Sequence, residues 1–199
     1  AEGARFNHDI ITTLSPQSKP VFIITDTTVT AHHQATIDYY QSHFSQCHTY
    51  QIQPGESSKS RTTKAHIEDT LLRLKWGRNT TIIAFGGGVV TDLAGFVAAT
   101  YMRGINCILI PSTLLAMCDA AIGGKTGINT VFGKNQIGSI SSPSAVIIDP
   151  EVLATQTKAL WRDGWAETIK HGIIAGEPYS KRFTQALSSQ MMQSTAIPD

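Results

Sequence analysis

The apolar residues of this chain alternate between short continuous runs and helical spacings. Four short runs predict buried strands, because each has the length of a strand and stops at a glycine, a proline or an acidic residue; they are residues 21–25, 81–85, 106–110 and 145–148. Helical spacing recurs between the first two runs, in Ile37, Tyr40 and Phe44 and in Ile67, Leu71 and Leu74, with Gly77 as the expected C-cap. The pattern predicts an α/β fold, a Rossmann-like parallel sheet with covering helices.

The pattern changes near residue 156. From about Lys158 onward the strand signal disappears, and residues 160–174 predict one amphipathic helix. We therefore predict an α/β domain over residues 1–156 and the beginning of an all-α domain over residues 157–199. Because the chain starts at Ala1 and ends without a stop signal, we expect it to be a trimmed form with a truncated helical domain.

Composition and charge limit the possible partners. The formal net charge is +1, which provides no long-range attraction for nucleic acid or an anionic membrane, so anion binding must come from local groups. Cys47, Cys107 and Cys118 form no C-x-x-C pair and are too few for a disulfide framework, which favours the cytoplasm. No apolar run is long enough to cross a bilayer.

A glycine triplet, Gly86-Gly87-Gly88, follows the second predicted strand and precedes a helical pattern. Such a junction exposes backbone amides at the positive end of a helix dipole, where a pyrophosphate can approach without Cβ clashes. The spacing is not G-x-G-x-x-G, so a tight turn without a ligand remains an alternative. Asp92 is expected either to cap this helix or to accept a hydrogen bond from a ribose hydroxyl.

A second cluster combines cations, an acid and amides with glycines that exclude a regular helix. Lys125 and Lys134 are expected to neutralise a phosphate, and Asp119 and Asn135 to orient hydroxyl groups. A Walker A loop is excluded, because no glycine stands at the required spacing before Lys125. The cluster therefore favours a phosphorylated, hydroxyl-rich substrate over isolated surface lysines.

The predicted C-terminal helix carries Glu167, Lys170 and His171 at i, i+3 and i+4, so that all three share one face. This stripe is either a surface ion-pair network or a metal ligand with a substrate-binding lysine beside it. Glu167 and His171 could share a metal, but a catalytic zinc site usually takes three protein ligands. A third ligand must come from elsewhere.

These clusters, in this order, resemble the 3-dehydroquinate synthase family. The matching strings are residues 86–96 (GGGVVTDLAGF), Arg103-Gly104, 111–115, Asp119 with 123–129, 133–135 (GKN) and 166–172 (AETIKHG). The similarity runs from about Val21 to the end of the chain and includes Asp26 and residues 54–59.

The resemblance implies a phosphate-eliminating lyase that depends on NAD and on a divalent metal, zinc or cobalt. Its substrate would be a phosphorylated seven-carbon keto sugar acid, 3-deoxy-D-arabino-heptulosonate 7-phosphate, which the shikimate pathway of aromatic amino acid biosynthesis converts to 3-dehydroquinate. A homodimer is expected, with no nucleic acid or membrane partner.

The resemblance also implies roles for individual residues. Glu167 would bind the metal. Contacts with substrate are implied for Asp119, Lys125, Lys134, Asn135, Lys170 and Arg103. Contacts with NAD are implied for Asp26, Glu56, Lys59, Gly87, Gly88, Val89, Val90, Thr91, Asp92, Ser112, Thr113, Val152, Leu153, Ala154 and Thr155, and also for Asp119, Lys125 and Lys134.

The chain departs from the family pattern at three points. Thr91 replaces the usual glycine, and it would either crowd the pyrophosphate or mark a subgroup acting on a related sugar phosphate. Ser112 replaces threonine and keeps the hydroxyl. The family's two metal-binding histidines lie in a C-terminal helical domain that this chain does not contain, so Glu167 is expected to lack partners and the chain alone to be inactive.

Two other functions compete with this interpretation. A metal-dependent polyol or glycerol dehydrogenase shares the glycine triplet and the two-domain plan, but its small substrate has no use for two phosphate-facing lysines. A non-catalytic dinucleotide-binding fragment would follow from the incomplete metal site. The six remaining histidines are expected to be exposed: His8, His32, His33, His43, His48 and His66.

Overall fold

A parallel sheet forms the centre of the protein, as the apolar runs predict. The structure is a computed structural model and describes residues 18–182 and 184–185. Within these residues the strands are β1 (Val21–Asp26), β2 (Cys47–Ile52), β3 (Thr81–Gly86), β4 (Asn106–Pro111), β5 (Lys125–Thr130), β6 (Gly133–Ile140) and β7 (Ala145–Val146). Five of them form one parallel sheet in the order β2-β1-β3-β4-β7, while β5 and β6 form a separate antiparallel hairpin.

In the described part of the chain, three helices connect the parallel strands, and a fourth follows the last strand. They are α1 (Thr27–His43), α2 (Arg61–Arg73), α3 (Gly88–Thr100) and α4 (Lys158–Ala175). Short 3-10 helices span Glu56–Ser58, Tyr101–Arg103 and Pro150–Thr155, and a π-helical turn spans Ala116–Ala120. None of the helices within the described ranges combines the length and the apolar character needed to cross a membrane.

The core is divided between the two faces of the sheet, because successive side chains of a strand point to opposite faces. In β1, Phe22 and Ile24 belong to the cluster that includes residues of α2 and α3. Val21 and Ile23 belong to the other cluster, together with residues of α1. Burial on both faces explains why β1, β3 and β4 are continuous apolar runs in the sequence.

The hairpin β5–β6 covers α3. A Cβ atom on Gly95 of α3 would lie 2.5 Å from Cγ2 of Thr126 in β5, so the helix and the hairpin approach too closely for a side chain there. Ile128 of β5 is buried in the same cluster as α3. The hairpin is thereby held against the middle of α3.

The order of the strands creates a topological switch point between β1 and β3. The chain leaves β1 toward β2 on one side and then returns to build β3 and β4 on the other side. In an open α/β sheet, ligands bind outside the carboxyl ends of the strands at such a point.

The predicted strands and helices are confirmed, with differences at their ends. Helix α2 ends at Arg73, and the left-handed residue that follows is Lys75 (φ 58°), so the prediction of Gly77 as C-cap is wrong. The strand expected at residues 145–148 is reduced to Ala145–Val146 at the sheet edge. No strand was predicted for residues 47–52, or for the glycine-rich stretch that forms the hairpin. Of the predicted helical region, residues 183 and 186–199 lie outside the described residues.

Candidate functional site

A cleft of about 470 Å³ lies at the switch point. Each central strand contributes to its wall where the strand ends: Asp26 closes β1, Gly87 and Gly88 follow β3, and Ser112 and Thr113 follow β4. Pro54 and Gly55, after β2, and Thr155 and Leu160, near the start of α4, extend the wall. Chain segments far apart in sequence therefore meet around one cavity.

The three glycines after β3 differ in what surrounds them. A Cβ atom on Gly86 would lie 2.5 Å from Cγ2 of Val90, so this glycine is required by the fold itself. One on Gly87 would lie 3.2 Å from Cγ2 of Thr113. One on Gly88 would meet only the Cβ of Ala120, at 3.5 Å, which is ordinary van der Waals contact. Protein packing therefore leaves room for a side chain at Gly88, which lines the cleft.

The first turn of α3 presents amides without a capping side chain. Its N-cap is Gly87, which makes no side-chain bond, whereas α1 begins with the Asp26 carboxylate accepting from the amide of Val29 at 2.8 Å. Asp92 does not cap α3, because its carboxylate pairs with the ammonium of Lys59. An uncapped helix start directed at a cleft favours an anion.

Lys59 and Asp92 form a buried ion pair at the edge of the cleft. Lys59 is 3% exposed, and its ammonium also donates to Oδ1 of Asn135 at 2.5 Å. Burial raises the pKa of Asp92, although the hydrogen bond and the charge of Lys59 oppose this shift. The pair connects the segment after β2, the start of α3 and the hairpin.

A second cavity of about 600 Å³ adjoins the cleft. The two cavities share four residues: Asp92, Asp119, Ala120 and Asn135. Lys125 lines the second cavity together with glycines of the hairpin. The two lysines that the sequence predicts to act together are therefore separated. Lys125 lines the second cavity, whereas the exposed Lys134 lies on β6 and lines neither the cleft nor the second cavity.

Asp119, Glu167 and His171 form a possible metal-ligand group. One ligand atom from each of them lies within 4.8 Å of the others. Nε2 of His171 is 3.1 Å from Oε1 of Glu167 and 4.0 Å from Oδ1 of Asp119. The turn Ala116–Ala120 therefore brings a third candidate ligand to α4, while the expectation that Glu167 lacks the family's two histidine partners stays a prediction.

Lys170 occupies the same face of α4 and pairs with Glu167. Its hydrogen bond lowers the pKa of Glu167, and in return the carboxylate raises the pKa of Lys170. The lowered pKa keeps Glu167 ionised, which is the form that ligates a metal.

Other sequence-predicted residues lie outside the cleft wall. Thr91 is 1% exposed and lines a small cavity beneath the hairpin, where its hydroxyl donates to the carbonyl of Gly88 at 3.2 Å. Val152 and Leu153 are buried, Ala154 is exposed, and only Thr155 of that segment reaches the cleft. Arg103 is exposed beyond the far end of α3, about 20 Å from Gly88 by the rise of the helix.

His33 is a cleft residue that the sequence analysis missed. Its Nε2 lies 3.1 Å from Oγ1 of Thr155, its ring packs against Phe85, and α1 is kinked at this position. Burial lowers its pKa. The prediction of exposure is confirmed for His32 and His66 and wrong for the half-buried His33, His43 and His48, whereas His8 lies outside the described residues. The only sequence signal was a histidine inside a helix that follows a buried strand.

The fold and the cleft define a doubly wound α/β domain with an anion-accepting helix start at its switch point. The sequence agrees, since residues 49–163 match the 3-dehydroquinate synthase N-terminal region. The chain belongs to the 3-dehydroquinate synthase family of sugar phosphate cyclases.

Solved structures of cyclases have the same fold. A 2-deoxy-scyllo-inosose synthase complexed with carbaglucose-6-phosphate, NAD+ and Co2+ is 26% identical with a TM-score of 0.75, covering 82% of this chain and 45% of that one. A 2-epi-5-epi-valiolone synthase from Streptomyces hygroscopicus subsp. jinggangensis 5008, with NAD+ and Zn2+ bound, is 34% identical with a TM-score of 0.71, covering 76% and 43%.

A more distant neighbour shares the fold alone. Glycerol dehydrogenase from Schizosaccharomyces pombe is 21% identical with a TM-score of 0.54, covering 75% of this chain and 35% of that one. The chain thus spans less than half the length of these three solved proteins.

Proposed function

We propose that this chain forms the NAD-binding part of a metal-dependent sugar phosphate cyclase, and specifically of a 3-dehydroquinate synthase. The observation that carries the proposal is the uncapped start of α3 at Gly88, directed at a cleft that continues into a lysine-bearing cavity. Both related cyclases have NAD+ bound in their structures.

NAD fits the residues of the cleft. Its pyrophosphate would be held at the start of α3, where the backbone of Gly88 and Val89 lines the wall and a side chain at residue 88 would intrude. Asp26 and Glu56 are the acidic residues of the wall nearest the ends of β1 and β2, and they would bind the hydroxyl groups of the adenosine half. Because the formal net charge is near zero, binding of the pyrophosphate anion would depend on the backbone amides at the start of α3 rather than on the overall field.

The phosphorylated substrate would occupy the adjoining cavity. Lys125 supplies a cation for its phosphate, and Asn135 and Asp119 supply an amide and a carboxylate for hydroxyl groups. Because Asp119 and Asn135 also line the cleft, a substrate held by them would lie against the cofactor. Hydride transfer requires this proximity.

A divalent metal fits the group formed by Asp119, Glu167 and His171. Two carboxylates and an imidazole are a donor set that zinc and cobalt accept. A metal held there supplies Lewis acidity to a substrate hydroxyl or carbonyl, while NAD supplies a reversible hydride acceptor. In the structure Lys170 pairs with Glu167. If Glu167 bound a metal, Lys170 would be released from this pair and would be free to turn toward the substrate.

The choice of substrate rests on the hairpin. The strings Gly-Gly-Lys-Thr-Gly at residues 123–127 and Gly-Lys-Asn at residues 133–135 favour the dehydroquinate branch over cyclases of other sugar phosphates. Thr91 does not argue against this branch, because its side chain is buried away from the cleft. The free Cys47, Cys107 and Cys118 agree with a cytoplasmic protein. The homodimer and the domain boundary at residue 156 stay predictions.

The test is release of inorganic phosphate from 3-deoxy-D-arabino-heptulosonate 7-phosphate by the full-length protein of which this chain would form the NAD-binding part, with NAD and zinc or cobalt; the 199-residue chain alone is still predicted to release none. We expect phosphate release without net accumulation of NADH, and loss of release when a chelator is added. Net reduction of NAD by a simple polyol, without phosphate release, would instead identify a polyol dehydrogenase.

A further inference from the structure

Asn129, for which no role was predicted, bridges two segments that face the two cavities. Its amide Nδ2 donates to the carboxylate Oε2 of Glu56 at 2.6 Å, and its backbone N–H donates to the carbonyl of Lys59 at 2.8 Å. Its side-chain Oδ1 accepts from the backbone N–H of Asn135 at 3.1 Å. One residue of β5 is therefore tied both to the segment after β2 and to the start of β6, next to the turn of the hairpin.

These bonds close a ring. Lys59 accepts from the backbone of Asn129, Asn129 accepts from the backbone of Asn135, and Oδ1 of Asn135 accepts from the ammonium of Lys59 at 2.5 Å. Asn135 has a left-handed backbone (φ 57°), which this ring holds in place. The position of Asn135 in the substrate cavity therefore depends on Lys59 in the cofactor cleft, through Asn129.

The chemistry requires an amide at residue 129. A primary amide both donates and accepts, whereas a carboxylate only accepts and an aliphatic side chain does neither. Glu56 needs a donor and the N–H of Asn135 needs an acceptor, so both halves of the Asn129 amide are used. An aspartate at this position would keep the bond to Asn135 but oppose two carboxylates across the Glu56 contact.

We propose that Asn129 is a positioning residue that fixes the substrate-facing turn to the cofactor-facing segment, so that ligand binding at either site strengthens binding at the other. This inference rests on the proposed function for the identity of the two ligands. Coupling of this kind is reciprocal and typically amounts to about 5- to 150-fold in affinity.

Three variants test the bridge in the absence of ligands. Asn129→Asp should raise the hydrogen-exchange rates of the backbone amides in residues 127–136 by about tenfold. This factor corresponds to the net free energy of one hydrogen bond. Glu56→Gln should change it by less than about twofold, since the glutamine carbonyl still accepts. The double variant Glu56→Gln/Asn129→Asp reverses donor and acceptor, because the new amide at residue 56 can donate to the new carboxylate at residue 129. It should restore the parent exchange rates.

Gln136→Glu is the matched control for charge. It adds the same negative charge to the hairpin, but its side chain bonds within its own turn, to the carbonyl of Phe132 at 3.5 Å. We expect its exchange rates to stay within about twofold of the parent. Unchanged exchange in Asn129→Asp, or failure of the double variant to restore protection, would overturn the bridge.

The coupling is measured by calorimetric titration of NAD with and without saturating inorganic phosphate. We expect phosphate to tighten NAD binding by about fivefold or more in the parent, and by less than about twofold in Asn129→Asp. Equal tightening in the parent and in Asn129→Asp would refute the coupling. A parent that binds neither ligand would contradict the proposed function, while the exchange experiment would still decide whether Asn129 holds the turn.

Discussion

The buried ion pair between Lys59 and Asp92 makes a quantitative prediction about stability. The side chain of Lys59 is 4% exposed and that of Asp92 is 18% exposed. Removing one partner of a buried pair costs about 3–5 kcal/mol, because the other charge is left without compensation. Asp92→Asn keeps the shape and one acceptor, and the site is partly open, so we expect a loss of about 3 kcal/mol in the free energy of unfolding.

The assay is urea denaturation, supported by thermal melting. For a chain of this size, about 3 kcal/mol corresponds to a fall of roughly 6–12 °C in Tm. Asp69→Asn is the matched control, because Asp69 is exposed on α2, and it should stay within about 0.5 kcal/mol of the parent. The double variant Lys59→Met/Asp92→Leu should be more stable than Asp92→Asn, since it leaves no buried charge unpaired.

If Asp92→Asn unfolded within about 0.5 kcal/mol of the parent, or if the double variant were the least stable, the account of this pair would be wrong.

Further changes address the contact between α4 and Leu114, the candidate metal-ligand group and the second cavity. A Cβ on Gly164 would lie 2.6 Å from the Cβ of Leu114, so Gly164→Ala should destabilise the protein by about 1–3 kcal/mol in urea. Asp119→Asn and His171→Ala should each weaken cobalt binding by at least about tenfold, followed by the visible absorption of the ion, and unchanged spectra would exclude them as ligands. Lys125→Ala should weaken binding of inorganic phosphate by roughly 1.5–3 kcal/mol while NAD affinity changes little; an equal loss for both ligands would contradict the division of the two cavities.

The sequence predicts the elements whose burial is complete. Strands β1, β3 and β4 are covered on both faces, so their residues are apolar without interruption. Strand β2 is an edge strand whose His48 and Tyr50 stack on Phe22, and a histidine used as a packing ring is not recognisable in an apolar pattern. This explains why β2 was not predicted.

The hairpin escaped prediction for a different reason. A Cβ on Gly138 would overlap the carbonyl oxygen of Thr126, so its strands need glycines where strand patterns show side chains. The same limit applies to the site. The glycine triplet is local and was recognised, whereas the meetings of Asp119 with Glu167 and of Glu56 with Asn129 join distant segments and need the fold.

The central claim, that the cleft at the end of β3 binds NAD, is tested most directly by calorimetric titration of the chain and two glycine variants with NAD. Gly88→Val should fold with nearly the parent stability, because only Ala120 lies near the added Cβ, and it should bind no NAD. Gly86→Ala, whose Cβ would lie 2.5 Å from Val90, should instead lose stability. A parent chain that does not bind NAD, or a Gly88→Val variant that binds it as tightly as the parent, would contradict the account.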